Sequence, residues 1–244
     1  MEIEAYQLMA SHEALHWWFV GRRAIIDGLL DRLPLDAEAR ILEAGCGTGG
    51  NLYLLQGRGR VSAFEPHPAG IDIARSRNPG VEILDGELPD RLPFADGTFD
   101  LVVVLDVLEH VEQDNAALQS LIRLTKPGGY LLITVPAHPF LWGQHDRRLH
   151  HIRRYSVDAF TRLCGTKNTR VVYESPFNTL LAPVAFLARV AEKYLSLDLG
   201  NQERLPSEPL NRLLSAVFAL ERGLIRHARL PFGLSHAAIL QRLD

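Results

Sequence analysis

A run of glycines directly after an apolar strand constrains this chain more than any other feature. Residues 43–50 read Glu-Ala-Gly-Cys-Gly-Thr-Gly-Gly and follow a strand predicted at residues 40–44. Glycines in such a loop let the backbone turn sharply and approach a bound nucleoside more closely than a side chain would permit. Glu65 ends the next predicted strand, where a carboxylate can accept hydrogen bonds from ribose hydroxyls. We therefore expect a nucleoside-binding α/β fold, and the loop alone suits a nicotinamide cofactor equally well.

Short apolar strands alternate with helix-like segments along most of the chain. Strands are predicted at residues 40–44, 61–64, 81–84, 101–105, 130–135, 170–174 and 235–242, and helices at residues 51–56, 68–76, 107–124 and 158–163. Strands that alternate with helices form parallel sheets, because each helix carries the chain back across the sheet. The pattern predicts an α/β fold with a doubly wound, mostly parallel, seven-stranded sheet.

Two helical regions lie outside this alternation. Apolar spacing over residues 2–30 predicts two N-terminal helices with a break at Gly21. Residues 180–195 and 210–227 predict amphipathic helices, the second with Ser207 as N-cap and Pro209 in its first turn. We expect one domain over residues 1–244, divided into an N-terminal helical segment (1–30), a Rossmann-like core (40–178), an inserted helical lid (179–232) and a final strand (233–244).

Composition and charge exclude several classes of protein. The chain has 244 residues, 47% of them hydrophobic, and a net charge of −3, which argues against a nucleic-acid binder. The N-terminus lacks the pattern of a signal peptide, and no apolar run reaches the roughly 20 residues that span a bilayer. Cys46 and Cys164 are far apart and lack metal-ligand spacing, so we expect no metal site and a cytoplasmic location. Cys46 is expected to be a small loop residue and not a nucleophile.

An ordered set of motifs surrounds the glycine loop. After Glu43 and the loop come residues 92–94 (Leu-Pro-Phe), 99–103 (Phe-Asp-Leu-Val-Val), 105–110 (Leu-Asp-Val-Leu-Glu-His) and 126–129 (Lys-Pro-Gly-Gly). In this order the set resembles the class I, Rossmann-like methyltransferases that depend on S-adenosylmethionine. The resemblance implies methyl transfer as the activity, S-adenosyl-L-methionine as the cofactor and S-adenosyl-L-homocysteine as its product.

The same resemblance implies which residues contact the cofactor. The glycine loop would lie against the methionine part, Glu65 would hold the ribose, and Asp106 would face the methionine end. Asp85 follows the third strand, where the adenine amino group is contacted, and Glu87 competes with it because this segment is longer than usual. The implied cofactor-binding residues are Glu43, Gly45, Cys46, Gly47, Gly49, Glu65, Asp85, Gly86, Glu87, Leu88, Asp106 and Val107.

Further segments resemble a bacterial methyltransferase-type-11 subgroup of undefined substrate and extend the match to nearly the whole chain. They are residues 16–23 (His-Trp-Trp-Phe-Val-Gly-Arg-Arg), 141–155, 177–178 and 230–235. In that subgroup the second segment usually contains His-Asp, two variable residues, Leu-Gly-His and then Arg-Arg-Tyr. Here His150 stands in place of the glycine.

Methyl transfer from a sulfonium is a direct displacement, so the protein mainly aligns the nucleophile, the methyl carbon and the sulfur. A general base helps if the acceptor is a hydroxyl, and histidine suits that task near neutral pH. His110, His138 and His145 follow the fourth and fifth strands, at the sheet edge where ligands bind, and are the candidate catalytic residues. For His110, a packing or capping role is favoured over catalysis.

Residues 142–155 concentrate positive charge, with four arginines and three histidines. Because arginine binds phosphate or carboxylate with two parallel hydrogen bonds, this block indicates an anionic acceptor, with a salt-bridged surface turn as the alternative. Aromatic residues 17–19 suit a substrate mouth and a core equally well. The candidate substrate-binding residues are Trp18, Arg22, Trp142, His145, Arg153, Arg154, Tyr155 and Asn178.

The inserted helices carry apolar stripes, formed by Leu180, Val184, Leu187 and Ala191 and by Leu213, Leu214 and Val217. Ordinary packing, a channel for an acyl or prenyl chain, and peripheral membrane contact remain open. The predicted function is methyl transfer to a small or lipid-like acceptor, with oxygen as the first choice of acceptor atom. A nicotinamide (NAD(P)-dependent) oxidoreductase and a cofactor-binding regulatory protein are the alternatives. The oligomeric state is left open.

Overall fold

A seven-stranded sheet forms the centre of the computed structural model, which describes residues 3–187 and 205–244. The strands run in the order β3-β2-β1-β4-β5-β7-β6, with β7 antiparallel to both of its neighbours and the first five strands parallel. The predicted doubly wound, mostly parallel sheet is confirmed. Its strands are β1 (Arg40–Ala44), β2 (Arg60–Glu65), β3 (Glu82–Asp85), β4 (Phe99–Leu105), β5 (Thr125–Pro136), β6 (Thr169–Phe177) and β7 (Ser235–Arg242).

Helices cover both faces of the sheet. They are α1 (Ile3–His12), α2 (Trp17–Leu30), α3 (Leu52–Gln56), α4 (Pro68–Arg77), α5 (Asp114–Leu124), α6 (Gln144–Arg148), α7 (Val157–Cys164) and α8 (Glu208–Ile225), with 3₁₀ turns at Leu108–His110 and Pro139–Leu141. Residues 182–187 are also helical, and the remainder of the helix predicted at residues 180–195 lies outside the described residues.

Two apolar layers hold the sheet between these helices. On one face, Phe99 and the strands pack with Leu121 of α5 and Phe160 of α7. On the other face, Ile25 of α2 and Phe218 of α8 pack against the strands. Each fully buried side chain of this kind contributes about 1.5–3 kcal/mol of hydrophobic free energy. The sheet is therefore fixed on both faces, and its ligand-binding edge is built on a rigid support.

Gly21 does not break the N-terminal helices, contrary to the sequence prediction. The break lies at residues 13–16, where the Nδ1 atom of His16 accepts a hydrogen bond from the Trp18 amide at 3.2 Å and caps α2. Gly21 lies inside α2, and a Cβ atom there would come within 2.6 Å of Phe218 Cγ. The glycine is needed because α8 packs closely against α2 at this position.

The helix predicted at residues 107–124 is also shorter than expected. Residues 108–110 form a 3₁₀ turn, and α5 begins only at Asp114. The amide of Ile152 donates a 2.9 Å hydrogen bond to the Glu109 carbonyl, so a later part of the chain pairs with this turn. That tertiary contact takes the place of the helical hydrogen bond that a regular pattern would form.

The apolar stripes of the insertion differ in their burial. In α8, Leu214 and Val217 pack against the core with the fully buried Phe218, whereas Leu213 is exposed. Val184 and Leu187 are exposed, and Ala191 lies outside the described residues. Among residues 3–187 and 205–244, no helix combines the length and the apolar character that crossing a bilayer requires.

Candidate functional site

The glycine loop connects β1 to α3 in a conformation that side chains disfavour. Gly45, Gly47 and Gly49 have φ angles of 72°, 55° and 78°. The amides of Gly45 and Cys46 both donate to the Phe64 carbonyl, at 2.9 and 3.1 Å, so the loop is tied to the end of β2. The loop therefore brings bare backbone to the switch point between β1 and β4, where open α/β sheets bind ligands.

Glu65 is buried at the end of β2, and its carboxylate already accepts three hydrogen bonds. Oε2 accepts from the Gly47 amide at 2.9 Å, and Oε1 accepts from the Tyr6 hydroxyl at 2.8 Å and from the His67 amide at 3.2 Å. The Tyr6 ring stacks on His67 with 4.7 Å between ring centroids. Burial, with the neighbouring Glu65 carboxylate, raises the pKa of Tyr6, so the phenol stays a donor. Helix α1 thus reaches the carboxylate that the sequence assigns to the ribose.

Helix α1 is followed by a second anchor to the same loop. Glu13 is buried and accepts a 2.8 Å hydrogen bond from the Thr48 hydroxyl, and it also pairs with Arg77 of α4. A Cβ atom on Gly47 would lie 3.2 Å from the Met9 side chain. The N-terminal segment therefore covers the outer side of the glycine loop.

Glu43 supports the loop from inside the protein. Its carboxylate is fully buried, accepts one hydrogen bond of 2.9 Å from Asn51, and leaves Oε2 without a partner. Burial raises the pKa of Glu43 to about 7, although Asn51 and Arg22 act in the opposite direction. Burial likewise raises the pKa of the Cys46 thiol, which favours a loop role for this residue over nucleophilic chemistry.

The two candidates for the adenine contact share one partner. Asp85 and Glu87 are both largely exposed, and Arg91 pairs with each of them. The amide of Gly86 donates to the Glu65 carbonyl at 3.3 Å, and Leu88 packs into the core. The segment therefore lies beside Glu65, and the adenine contact and the choice between the two acids stay predictions.

Asp106 follows β4 and pairs with a residue from α2. Arg22 Nη2 lies 2.6 Å from Asp106 Oδ2, and its side chain is only 8% exposed. The Thr134 hydroxyl donates to Asp106 Oδ1 at 3.1 Å. Val107, next to Asp106, packs against Gly45. Arg22 was predicted as a substrate-binding residue, and the structure places it where it fixes the Asp106 carboxylate.

Two of the three candidate catalytic histidines lie together. The rings of His110 and His145 lie 4.8 and 6.4 Å, between centroids, from the ring of His151. Partial desolvation lowers the pKa of His110 to about 4, and the neighbouring His151 adds to the shift. His110 is therefore a weak base near neutral pH. Asp146, which is buried, accepts a 3.0 Å hydrogen bond from His151 Nδ1.

His138 belongs to a different group. Its ring lies 6.1 Å from His236 and 5.2 Å from Phe140, measured between centroids. His236 is buried, and burial together with His138 lowers its pKa to about 4. Phe140 in turn lies 6.4 Å from Phe186 in the inserted segment. Phe140 therefore connects His138 to the described part of the insertion.

Two of the four arginines of residues 142–155 pair with carboxylates of the protein. Arg153 pairs with Asp114 at 2.6 Å, and Arg154 Nε pairs with the buried Asp146 at 2.6 Å. The hydroxyl of Tyr155, which is also buried, donates to Asp114 at 3.0 Å. These contacts match the salt-bridged alternative, because protein carboxylates neutralise both guanidinium groups. Anion binding by these residues stays a prediction.

The remaining substrate candidates differ in exposure. Trp18 packs on Phe218 with 5.5 Å between ring centroids, whereas Trp142 is exposed. Asn178 is buried with a φ of 62°, and its backbone N–H donates to Glu221 Oε2 of α8 at 2.7 Å. Trp18 and Asn178 therefore connect the insertion to the core.

The strand order, the glycine loop at the switch point and the carboxylate that ends β2 together define a Rossmann-like, class I methyltransferase fold. A family model described as a methyltransferase domain matches residues 17–174, which is well over half of the chain. The chain belongs to this methyltransferase family, whose cofactor is S-adenosylmethionine.

Known relatives agree with this assignment. The chain is 29% identical over 159 residues to a probable S-adenosylmethionine-dependent methyltransferase of Mycolicibacterium smegmatis, covering 64% of this chain and 60% of the relative. It is 31% identical over 149 residues to the malonyl-[acyl-carrier protein] O-methyltransferase of Serratia marcescens, covering 58% and 56%. The chain thus spans less than two thirds of the length of either relative.

A solved structure has the same fold. A methyltransferase from a complex with the Trm112 methyltransferase activator of Haloferax volcanii superposes with a TM-score of 0.64 at 18% identity, covering 99% of this chain and 94% of that one.

The residues at the sheet edge fit the family's cofactor. The loop glycines offer bare backbone, and Glu65 ends β2, from which an acidic residue of related folds binds ribose hydroxyls. One feature opposes immediate binding, since the Tyr6 hydroxyl holds Glu65 Oε1. A ribose hydroxyl that binds this oxygen has to replace Tyr6.

Proposed function

We propose that this chain transfers the methyl group of S-adenosylmethionine to an oxygen atom of a small or lipid-like acceptor. The observation that carries this proposal is that the glycine loop, Glu65 and Asp106 lie at the carboxyl ends of three adjacent strands. Open parallel sheets bind ligands at that edge. The three candidate histidines come after β4 and β5 in the chain, and both strands end at the same edge. The cofactor supplies the methyl group, and the protein supplies binding and alignment.

Each polar group at the edge takes a separate task in this proposal. Glu65 binds the ribose hydroxyls through its carboxylate oxygens. Arg22 fixes the Asp106 carboxylate toward the methionine end, through the 2.6 Å ion pair. His145, from the short helix α6, accepts the proton of the acceptor hydroxyl. His138 is the alternative base, because Phe140 connects it to Phe186 of the insertion.

The name of one relative supports oxygen as the acceptor atom. One relative is an O-methyltransferase by name, and its acceptor is malonyl-[acyl-carrier protein]. The malonyl group of that acceptor carries a carboxylate, which agrees with the anionic group of the acceptor proposed here.

We propose that residues 179–232 select the acceptor. Val184 and Leu187 expose apolar surface in the described part of this segment, and Phe186 contacts Phe140 beside His138. Apolar side chains on that side of the edge suit the acyl or prenyl portion of a lipid-like acceptor. The opposite end of the segment packs into the core through Phe218, which anchors it.

Replacing residues 179–232 by a short linker tests this selection, with S-adenosylhomocysteine affinity measured beside transfer to a panel of acceptors. Retained affinity with lost transfer supports the assignment. Transfer that survives intact contradicts it. Because this deletion also removes the buried Phe218, a second variant, Val184→Ser with Leu187→Ser, changes only exposed positions and should alter the preference among acceptor chain lengths.

The proposed activity is tested by binding and by turnover. Calorimetry with S-adenosylmethionine, S-adenosylhomocysteine and NADH separates a methyltransferase from a nicotinamide oxidoreductase on the same sheet. Transfer of a labelled methyl group to carboxylate and hydroxyl acceptors, with and without acyl chains, separates an enzyme from a cofactor-binding regulatory protein. Binding of NADH without binding of S-adenosylmethionine would overturn the proposal.

A further inference from the structure

Glu109 is a buried carboxylate whose side chain has no hydrogen-bond partner among the described residues. Its exposure is 0%, and both Oε1 and Oε2 are without a partner. A carboxylate in this position is costly, since neither water nor a protein donor replaces its hydration. Buried charges in proteins are paired with opposite charges or coordinate metal ions. The positive charges of Arg22 and Arg154 favour the ionised carboxylate through space, but none of the described residues donates a hydrogen bond to it.

Two histidines face the same carboxylate. One ligand atom each from Glu109, His110 and His151 lie within 4.8 Å of one another, and His151 Nε2 lies 3.9 Å from Glu109 Oε1. The side chains of Glu109 and His151 are 0% and 7% exposed, whereas His110 is an exposed residue. The group therefore forms a short path from the interior to the surface.

The orientation of His151 is fixed from its other side. Its Nδ1 atom lies 3.0 Å from Asp146 Oδ1, and the Asp146 carboxylate is held in turn by Arg154 Nε at 2.6 Å. With Nδ1–H donating to the carboxylate, the Nε2 lone pair is directed toward Glu109. Metal-binding histidines almost always donate their other ring N–H to a carboxylate or carbonyl in this way.

We propose that Glu109, His110 and His151 bind one divalent first-row transition-metal cation, of the kind represented by Zn²⁺ and Mn²⁺. Two imidazoles and one carboxylate form a donor set that such cations use in enzymes. The sequence predicted no metal here, because His151 is 41 residues away from His110 and no ligand spacing marks the pair.

The three ligand atoms must approach one another when the cation binds. Ligands 2.0–2.2 Å from a tetrahedral cation lie about 3.4 Å apart, so side-chain rotations have to shorten the present separations. The exposed ring of His110 is the one that rotates most easily. Three protein ligands also leave at least one coordination position for a water molecule or another oxygen ligand.

That open position gives the cation a role in the proposed reaction. Resting on the function proposed above, we assign the position to an oxygen of the acceptor's anionic group. The cation then supplies the positive charge at the acceptor site that Arg153 and Arg154 do not, since Asp114 and Asp146 neutralise them.

The test uses full-length protein without a histidine tag, treated with a chelator and dialysed. Zn²⁺ and Mn²⁺ binding is measured by calorimetry, and Co²⁺ binding by the visible absorption that reports its coordination. One equivalent of cation should bind, and Glu109→Gln and His151→Asn should each weaken binding at least 100-fold. His227→Asn serves as the matched control, because His227 is an exposed histidine just beyond the end of α8 and should leave binding unchanged.

His110→Asn keeps the test decisive if a buried variant fails to fold, because His110 is exposed. Loss of stoichiometric binding in this folded variant supports the site. Equal affinity in the wild type, His110→Asn and Glu109→Gln would overturn it, as would the absence of any stoichiometric binding. S-adenosylhomocysteine affinity is measured on the same variants. A protein that binds the cation and does not transfer methyl groups would refute the proposed function and leave the metal site standing.

Discussion

The hydroxyl of Tyr6 donates a 2.8 Å hydrogen bond to Glu65 Oε1, the carboxylate that the sequence assigns to the ribose of the cofactor. A ribose hydroxyl and the Tyr6 phenol therefore compete for the same oxygen. If the ribose binds through Oε1, helix α1 has to release this contact first, and that release reduces the affinity for the cofactor.

The first prediction follows from that competition. Tyr6→Phe should tighten S-adenosylhomocysteine binding about fivefold. In this variant the ribose binds Glu65 Oε1 without first displacing the charge-assisted hydrogen bond from the phenol. Calorimetry measures the change. Tyr53→Phe is the control, since Tyr53 is an exposed tyrosine of α3 and should leave the affinity unchanged. Weaker binding by Tyr6→Phe would show instead that the phenol contacts the bound cofactor.

The second prediction concerns Glu65 itself. Glu65→Ala should weaken S-adenosylhomocysteine binding by roughly 1.5–3 kcal/mol, because the variant removes charge-assisted hydrogen bonds to the ribose. Glu65→Gln keeps the side-chain volume and should retain more of the loop contacts made to Gly47. Glu82→Ala, at an exposed glutamate of the neighbouring strand, is the control. Unchanged affinity in Glu65→Ala would remove Glu65 from the cofactor site.

The third prediction is a pH dependence of stability that arises from Glu43. Its pKa in the folded protein is about 7, above the ordinary value of 4.5, because burial disfavours the charged form. The folded chain therefore keeps a proton that the unfolded chain loses. The resulting stability is present below pH 4.5 and is lost as the pH rises through about 7, at about 1.4 kcal/mol per unit of pKa difference.

Urea denaturation at a series of pH values measures this dependence. Glu43→Gln should flatten the decrease in unfolding free energy between pH 4.5 and 7, because glutamine does not titrate. Glu82→Gln, which changes an exposed glutamate, should leave the decrease as it is in the wild type. Parallel pH profiles for Glu43→Gln and the wild type would contradict the assignment to Glu43.

The fourth prediction distinguishes the two arginines of the 142–155 block by their burial. Arg154→Ala should destabilise the protein by about 3–5 kcal/mol, because it leaves the buried Asp146 carboxylate without its charge partner. Arg153→Ala should lower the free energy of unfolding by less, because Arg153 and its partner Asp114 are both more exposed. Arg212→Ala, in an exposed pair with Glu208, should cost less than about 1 kcal/mol. Equal losses in all three variants, measured by urea denaturation, would contradict this ranking.

Local patterns in the sequence predict much of the fold and only part of the site. Short apolar runs predict the seven strands. The position of Glu65 after the glycine loop makes it the candidate residue for the ribose contact. The contacts between Tyr6 and Glu65, and between Glu109 and His151, join residues that are 59 and 42 positions apart. No local period marks such pairs, because they depend on how helices and loops return to the sheet.

Gly21 shows the same limit in a single residue. In a single sequence, a glycine within a helical pattern is a potential break, because glycine destabilises helices by about 1 kcal/mol relative to alanine. The contact that requires glycine comes from Phe218, which lies 197 positions later. Only the packing of α8 on α2 distinguishes a glycine needed for close approach from one that ends a helix.

The last prediction tests the packing of α8 on α2 with one glycine from each helix. Gly21→Ala should destabilise the protein by about 1–3 kcal/mol, because the new methyl group would overlap the Phe218 ring and the buried ring has no space to move away. Gly223→Ala lies in α8 with no atom within 4 Å of the added methyl group, so it should stabilise the helix by about 0.4–1 kcal/mol. Urea denaturation measures both changes. Combining Gly21→Ala with Phe218→Ala should cost less than the sum of the two single changes, because the truncated side chain makes room for the methyl group. Additive losses would mean that Gly21 and Phe218 do not constrain each other, and that the helix pair is held by other contacts.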